Sequence, residues 1–233
     1  TLTAKDANDF GIMKTDEQNV ITSFIEKPKD ELLPDWTSDT GEEMQREGKH
    51  FLASMGIYVF NRDVLIKMLN ENPEEKDFGK EIIPRALEHN KVLSYQYEGY
   101  WTDIGNISSF FEANLGLTDD LPQFNMFDTA HTIFTRSGML PPSKISGTTL
   151  EKAIIAEGCI VQASRVEHSV LGIRSRIGRG TTIANCYVMG SDRYQTLDEI
   201  NHANNVGTPL LGIGDRCYIN NAIIDKNSKI GND

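Results

Sequence analysis

The sequence holds three cysteines, Cys159, Cys186 and Cys217, set far apart inside apolar repeats. That spacing excludes a disulfide framework and a CxxC metal site, and leaves free thiols expected in the interior. Cations are scarce as well: 23 Lys and Arg stand against 34 Asp and Glu, a formal charge of -11, and no long basic block occurs. Nucleic acid and anionic membranes are therefore not expected as partners, and an anionic ligand has to be captured by a local group of cations. No long apolar run and no charged-then-apolar leader is found, so no membrane span or secretory signal is expected and the expected location is the cytoplasm. A GxSxG elbow, HExxH pair, Walker loop and GxGxxG turn are all absent, and the five histidines have no ligand-like spacing. Nothing points to a covalent nucleophile.

What is present divides by periodicity. At 233 residues, with 39% hydrophobic content, the chain can bury the core of one large or two modest domains. Over residues 1–118, strand-like runs ("GIMKT", "VITSFIE", "HFLASMGIYVF", "KVLSYQYE") alternate with helix-like ones, as an α/β layer requires. The helices are "NRDVLIKMLN" with Asn61 as N-cap, "DFGKEIIPRALEH", and "NISSFFEANLGL" with Asn106 as N-cap. Between Pro28 and His50 a charged, Pro- and Gly-punctuated stretch predicts a long surface loop. Residues 119–143, rich in proline near "MLPPSKI", form a connector.

Over residues 144–233 the period becomes six, with apolar residues at Ile154, Ile160, Val166, Leu171, Ile177, Ile183, Met189, Ile213, Ile219, Ile224 and Ile230. A hexapeptide period is the mark of a parallel β-helix, in which one apolar residue per short face points inward. An amphipathic helix needs spacings of three and four, and a sandwich needs more frequent turns. Residues 190–211 break the period and are expected to project as a loop.

Four places offer chemistry. Glu26-Lys27-Pro28 ends an apolar strand; a Lys there can neutralise a phosphate and the Glu can accept hydrogen bonds from sugar hydroxyls, or the triplet is simply a polar strand end. Asp103 in "YWTDIGN" offers hard carboxylate oxygen suited to Mg²⁺, or caps a turn. Ser54 interrupts a hydrophobic strand, either bonded to backbone or donating to a ligand, and Asp77 is a candidate helix N-cap.

The segments "FGIMK", "FIEKP", "LASMGIYVF", "DFGKEIIP", "YWTDIGNISSFFEANLGL", "LPPSKI", "VEHSVLGIRSRIG" and "IIDKNSKIG" occur in the order and at the intervals seen in the ADP-glucose pyrophosphorylase (glucose-1-phosphate adenylyltransferase) family, which this chain resembles over nearly its whole length. The resemblance implies a partial Rossmann-like nucleotidyltransferase sheet of mixed strands, followed by a left-handed parallel β-helix. It implies transfer of AMP from ATP to glucose 1-phosphate, giving ADP-glucose and pyrophosphate in glycogen or starch synthesis. Lys27 would bind the sugar phosphate, Glu26 the sugar hydroxyls, and Gly11, Ser54, Asp77, Phe78 and Trp101 would line the sugar pocket. Asp103 would hold Mg²⁺ with an aspartate further upstream.

Family members respond to phosphorylated metabolites and phosphate, which makes Arg174 and Arg176, among the cluster that includes Arg165 and Arg179, candidate effector anchors; solvated corner residues are the other reading. A homo-oligomer is the expected assembly, with a tetramer implied for the full-length chain. The family's Gly-rich ATP-phosphate loop is not represented, so the sequence reads as an internal piece holding the sugar-phosphate half of the site, without turnover of its own. The rival readings are another sugar-phosphate nucleotidyltransferase, a non-catalytic regulatory subunit, and a hexapeptide acyltransferase, for which His168 is the lone candidate in a regular coil.

Overall fold

The computed structural model describes residues 1–135 and 138–233, so two positions of the connector expected over 119–143, Arg136 and Ser137, lie outside the described residues. The chain forms two compact units, Thr1–Gly99 and Tyr100–Asp233.

In the first unit the apolar runs 11–15 and 21–26 pair as an antiparallel hairpin, β1 (Gly11–Thr15) with β2 (Ile21–Glu26), and β3 (Leu52–Ala53) adds to the other edge of β1. Register places Gly11 opposite Glu26 and Ile12 opposite both Ile25 and Ala53. The hairpin turn is closed by Asp16, whose Oδ1 accepts from the backbone N–H groups of Gln18 and Val20. Ile12 packs with Ala7, Leu33 and Phe51, the first of these from α1 (Ala4–Ala7). The two further strands expected here are corrected. Only Leu52–Ala53 of "HFLASMGIYVF" is strand, and "KVLSYQYE" contributes a single bridge between Val20 and Leu93. Ile57, Val59, Leu93 and Tyr95 of these segments remain open to solvent, Val59 fully and Tyr95 nearly so, because strand propensity needs a neighbouring ladder to be realised.

The stretch expected as a loop between Pro28 and His50 carries a 3-10 helix, Asp30–Trp36, and α2 (Glu42–Arg46). The expected helices form as α3 (Arg62–Glu71), capped by the Asn61 side chain, and α4 (Ile83–His89), which continues a π-helical turn over Phe78–Ile82.

In the second unit α5 (Ile107–Gly116), capped by Asn106, lays Phe110 edge-on against Tyr187 of the coils at 5.3 Å between ring centres. The coils build two parallel sheets. One is made of short strands in the order β12 (Lys229–Ile230), β10 (Gly212–Ile213), β8 (Arg176–Ile177), β6 (Ile160–Val161) and β4 (Lys144–Ile145). The other stacks the longer β11 (Tyr218–Ile224), β9 (Thr182–Val188), β7 (Arg165–Leu171) and β5 (Thr149–Ile155). Each long strand bends at one left-handed residue: Lys152, His168, Asn185 and Asn221. Asn tolerates this conformation best, and His168 and Asn185 join side chains there, Nδ1 to Oδ1 at 2.9 Å.

Inside, Ile155, Leu171, Val188 and Ile224 lie in register, as do Val161, Ile177, Ile213 and Ile230, a row that Ile145 continues to an exposed end. Three positions expected to point inward are therefore corrected: Ile154, Ile160 and Met189 each sit one residue away from the inward position held by Ile155, Val161 and Val188. Successive coils differ in length, Leu150 pairing with Val166 and Val166 with Ile183, so an even count of six slips against the register. Buried hydroxyls are satisfied: Ser169 Oγ donates to the Glu167 carbonyl and accepts from Cys186 N–H, and Thr181 Oγ1 does the same between Gly214 and Cys217. Cys159 and Cys186 are buried free thiols, whereas Cys217 is only partly covered. The 190–211 insertion holds α6 (Leu197–Val206).

Candidate functional site

Glu26, the last residue of β2, extends its carboxylate between two glycines. A Cβ built on Gly11 would lie 2.6 Å from Glu26 Oε2; one built on Gly79 would lie 2.6 Å from the same oxygen and 2.8 Å from Cδ. Burial is the largest influence on this carboxyl and pushes its pKa above the usual range; Lys27 opposes the shift, Asp77 adds to it, and Lys80 opposes it again.

Lys27 follows with φ at 48°, a left-handed backbone seldom adopted by a long side chain, held by its N–H donating to the Phe10 carbonyl at 3.0 Å. Its side chain is exposed and forms no ion pair among the described residues, while Pro28 behind it is buried. Strand end, strained residue and proline together aim one cation outward beside one half-buried carboxylate.

Two further groups come in through neighbouring backbone. Ser54 N–H donates to the Gly11 carbonyl at 2.7 Å, and its Oγ accepts from Gly56 N–H and lies 3.2 Å from Tyr58 Oη. Tyr58 stacks on Phe78, 5.8 Å between ring centres and 17° between planes, with Phe60 edge-on to Phe78. Asp77 is an N-cap, its Oδ1 accepting from Lys80 N–H at 2.9 Å. Glu81 reaches back to the N–H groups of Lys76 and Asp77, which holds its own pKa low. This reciprocal pair is a capping box lengthened by one residue, as a π-helical turn requires.

The first unit thus contains Gly11, Glu26, Lys27, Ser54, Asp77 and Phe78. Gly11 meets the Glu26 carboxylate and bonds Ser54; Asp77 acts on Glu26 electrostatically; Phe78 carries the Tyr58 ring. Trp101 and Asp103 belong to the second unit, Trp101 half-buried and Asp103 exposed. Asp103 Oδ1 accepts from Gly105 N–H at 3.2 Å, a tight turn ahead of α5. Sequence reasoning passed over Tyr58, Gly79 and Glu81. The Asp77-to-Glu81 spacing was a readable signal for the cap; the roles of Tyr58 and Gly79 depend on chain segments brought together only by folding.

Among the described residues no cluster of three or more His, Cys, Asp or Glu side chains is arranged to hold a metal. The arginines on the coils differ in how they are engaged. Arg165 is tied to Glu151 and Glu167. Arg174 lies over the Tyr194 ring at 5.8 Å and donates to the Ser191 carbonyl, while Arg176 borders a shallow depression that it shares with Asp225. No described helix is long and apolar enough to cross a membrane.

A carboxylate and an exposed cation at a strand end, with a helix start and an aromatic cluster in the same unit, make a candidate polar-ligand site on an α/β layer. Residues 1–120 match the nucleotidyl transferase family model, and the chain belongs to that family. Residues 138–233 match the GLGC left-handed parallel beta-helix domain, which gives the coils their hand. A nucleotidyl transferase domain followed by this β-helix is the architecture of the ADP-glucose pyrophosphorylase family.

Proposed function

We propose that this chain binds glucose 1-phosphate and serves the transfer of AMP from ATP to it, giving ADP-glucose and pyrophosphate. The observation that carries the reading is the pairing at the end of β2: an exposed ammonium on a left-handed backbone directly beside a carboxylate seated between glycines. Lys27 neutralises the phosphate, and Glu26 accepts hydrogen bonds from ring hydroxyls. Ser54 supplies a hydroxyl, Gly11 and Asp77 shape the floor, and Phe78 with Tyr58 offers an apolar wall to the face of the sugar. A sugar-pocket role for Trp101 is carried over from the resemblance alone.

In the reaction an oxygen of the sugar phosphate forms a new bond to the α-phosphorus of ATP as the bond to the β-phosphate oxygen breaks. Pyrophosphate carries away the electron pair. Such a displacement needs positioning and charge neutralisation and no protein nucleophile, in accord with a sequence that offers none. Asp103 suits Mg²⁺ as a donor: its exposed carboxylate gives one oxygen to a turn, and Mg²⁺ is commonly held by one or two carboxylates with water and phosphate completing the shell. Bound there, Mg²⁺ would neutralise charge on the phosphates. The choice of adenine, a cytoplasmic location, a homo-tetramer, and regulation by phosphorylated metabolites at Arg174 and Arg176 are carried over from the resemblance.

Calorimetric titration tests the reading. Glucose 1-phosphate should bind the unsubstituted chain, and Lys27→Ala should weaken that binding on the order of tenfold or more, the scale of one charge-assisted contact. ADP-glucose should bind through the same sugar-phosphate contacts and lose affinity in the same variant. A folded chain that binds none of these ligands would overturn the proposal.

A further inference from the structure

Gly79 is a puzzle on local grounds. It sits inside the helical turn Phe78–Ile82 with no positive φ, so its backbone does not call for glycine, and alanine is the better helix former by about 1 kcal/mol. Space is what calls for it. A methyl group there would fall 2.6 Å from Glu26 Oε2, 2.8 Å from Cδ and 3.2 Å from Oε1, so the whole carboxylate is what it meets first. Gly11, on the facing strand, likewise has no positive φ; a methyl group there would run into the Phe24 ring and fall 2.6 Å from the same Oε2, so it leaves room for both.

We infer that Gly79 is a positioning residue: together with Gly11 it forms a slot that fixes the Glu26 carboxylate where it accepts hydrogen bonds from the hydroxyls of a sugar phosphate. The inference rests on the functional reading above and deepens it by assigning a residue that touches no substrate. The slot explains two observations together. Glycine on both sides lets backbone approach the carboxylate closely, which partly desolvates it, and burial is the largest influence on its ionisation. The turn that brings Gly79 in is itself fixed by Asp77 and Glu81, so the position of the slot is set by the cap.

Because the clashing atoms are the far end of a flexible side chain, Gly79→Ala should displace Glu26 and leave the fold intact. Three measurements on the full chain separate the outcomes. Thermal melting of Gly79→Ala should be unchanged or slightly raised. The Glu26 carboxyl, followed by ¹³C NMR titration, should move toward the ordinary glutamate range as water reaches it. Calorimetry should show glucose 1-phosphate affinity falling on the order of tenfold, the loss expected of displaced charge-assisted hydrogen bonds.

In a Glu26→Ala background the same Gly79→Ala change should have no further effect, since a residue that acts only through another is non-additive with it. An equal loss of affinity in both backgrounds, or an unmoved Glu26 titration with affinity retained, would overturn the positioning role alone. Absence of binding by the unsubstituted chain would overturn the functional reading and the ligand assigned to the slot. An unmoved titration would then refute the slot on its own account.

Discussion

Burial disfavours the ionised form of Glu26, Lys27 and Lys80 favour it, and the Asp77 carboxylate disfavours it again; the balance lifts its pKa above the usual glutamate value. A carboxyl with a raised folded-state pKa binds its proton more tightly folded than unfolded. Its contribution to stability is therefore full below the unfolded pKa and is lost as pH rises through the folded one. Denaturation of the first unit, followed at pH values from the ordinary glutamate range upward, should show this decline, and Glu26→Gln should flatten it. An identical slope in the Gln protein would sink the assignment. Sugar binding should run the opposite way, strengthening as Glu26 ionises, because the carboxylate is the better acceptor. Lys27 and Glu26 were legible in the sequence because an acid, a base and a proline closing an apolar strand are chemically conspicuous. Gly79 and Tyr58 were not, since a glycine and a tyrosine announce nothing until folding sets one where a Cβ would fall 2.6 Å from a carboxylate and the other 3.2 Å from a serine hydroxyl.

Elements followed the sequence where local signals were sufficient and departed from it where they were not. Asn61 and Asn106 cap α3 and α5 as their positions before apolar-periodic runs required. The segments 55–60 and 91–98 have strand composition but no ladder, and composition alone cannot supply a partner. In the coils the hexapeptide period revealed the architecture, yet coils of unequal length moved Ile154, Ile160 and Met189 off the inward positions. The insertion at 190–211 was expected as loop because it breaks that period, although Thr196 and Glu199 already spell a capping box. Thr196 accepts from Glu199 N–H, Glu199 accepts from Thr196 N–H, and Arg193 forks onto both oxygens of Glu199 at 2.8 Å. Arg193 above all, then the Thr196 N–H, hold the Glu199 pKa down to about 2. A carboxyl with a depressed folded-state pKa contributes stability that is present above its unfolded pKa and lost as pH falls through the folded one. The start of α6 should therefore hold at neutral pH and loosen between the ordinary glutamate range and about pH 2. Thr196→Ala should loosen it at neutral pH by about 1 kcal/mol, read as faster amide exchange in α6. Unchanged exchange in that variant would show that packing, and not the cap, holds the helix.

At the scale of the whole molecule, apolar burial is divided unequally. The coils enclose a continuous ladder of Val, Ile and Leu in register from one coil to the next, with their hydroxyls paired, whereas the first unit gathers a small cluster around Ile12 and leaves Ile57, Val59, Leu93 and Tyr95 exposed. Stability scales with the apolar area removed from water, and stacked coils gain it cooperatively from neighbour to neighbour. Hydrogen exchange along a guanidinium gradient should therefore open β1 and β2 at lower denaturant than β7 and β9. Leu171→Ala, which cuts into the fully buried ladder, should lower the stability of the coils by about 2–5 kcal/mol and leave the exchange of β1 and β2 where it was. Thiol reactivity offers an independent reading: Cys159 and Cys186, whose thiols burial pushes up in pKa, should resist a thiol reagent until the coils open, and Cys217 should react earlier. Loss of protection in both units at one denaturant concentration, with Leu171→Ala shifting both together, would mean that the sheet bearing Glu26 and Lys27 depends on the β-helix for its order. Substitutions in the coils would then alter binding at the proposed sugar-phosphate site through stability alone.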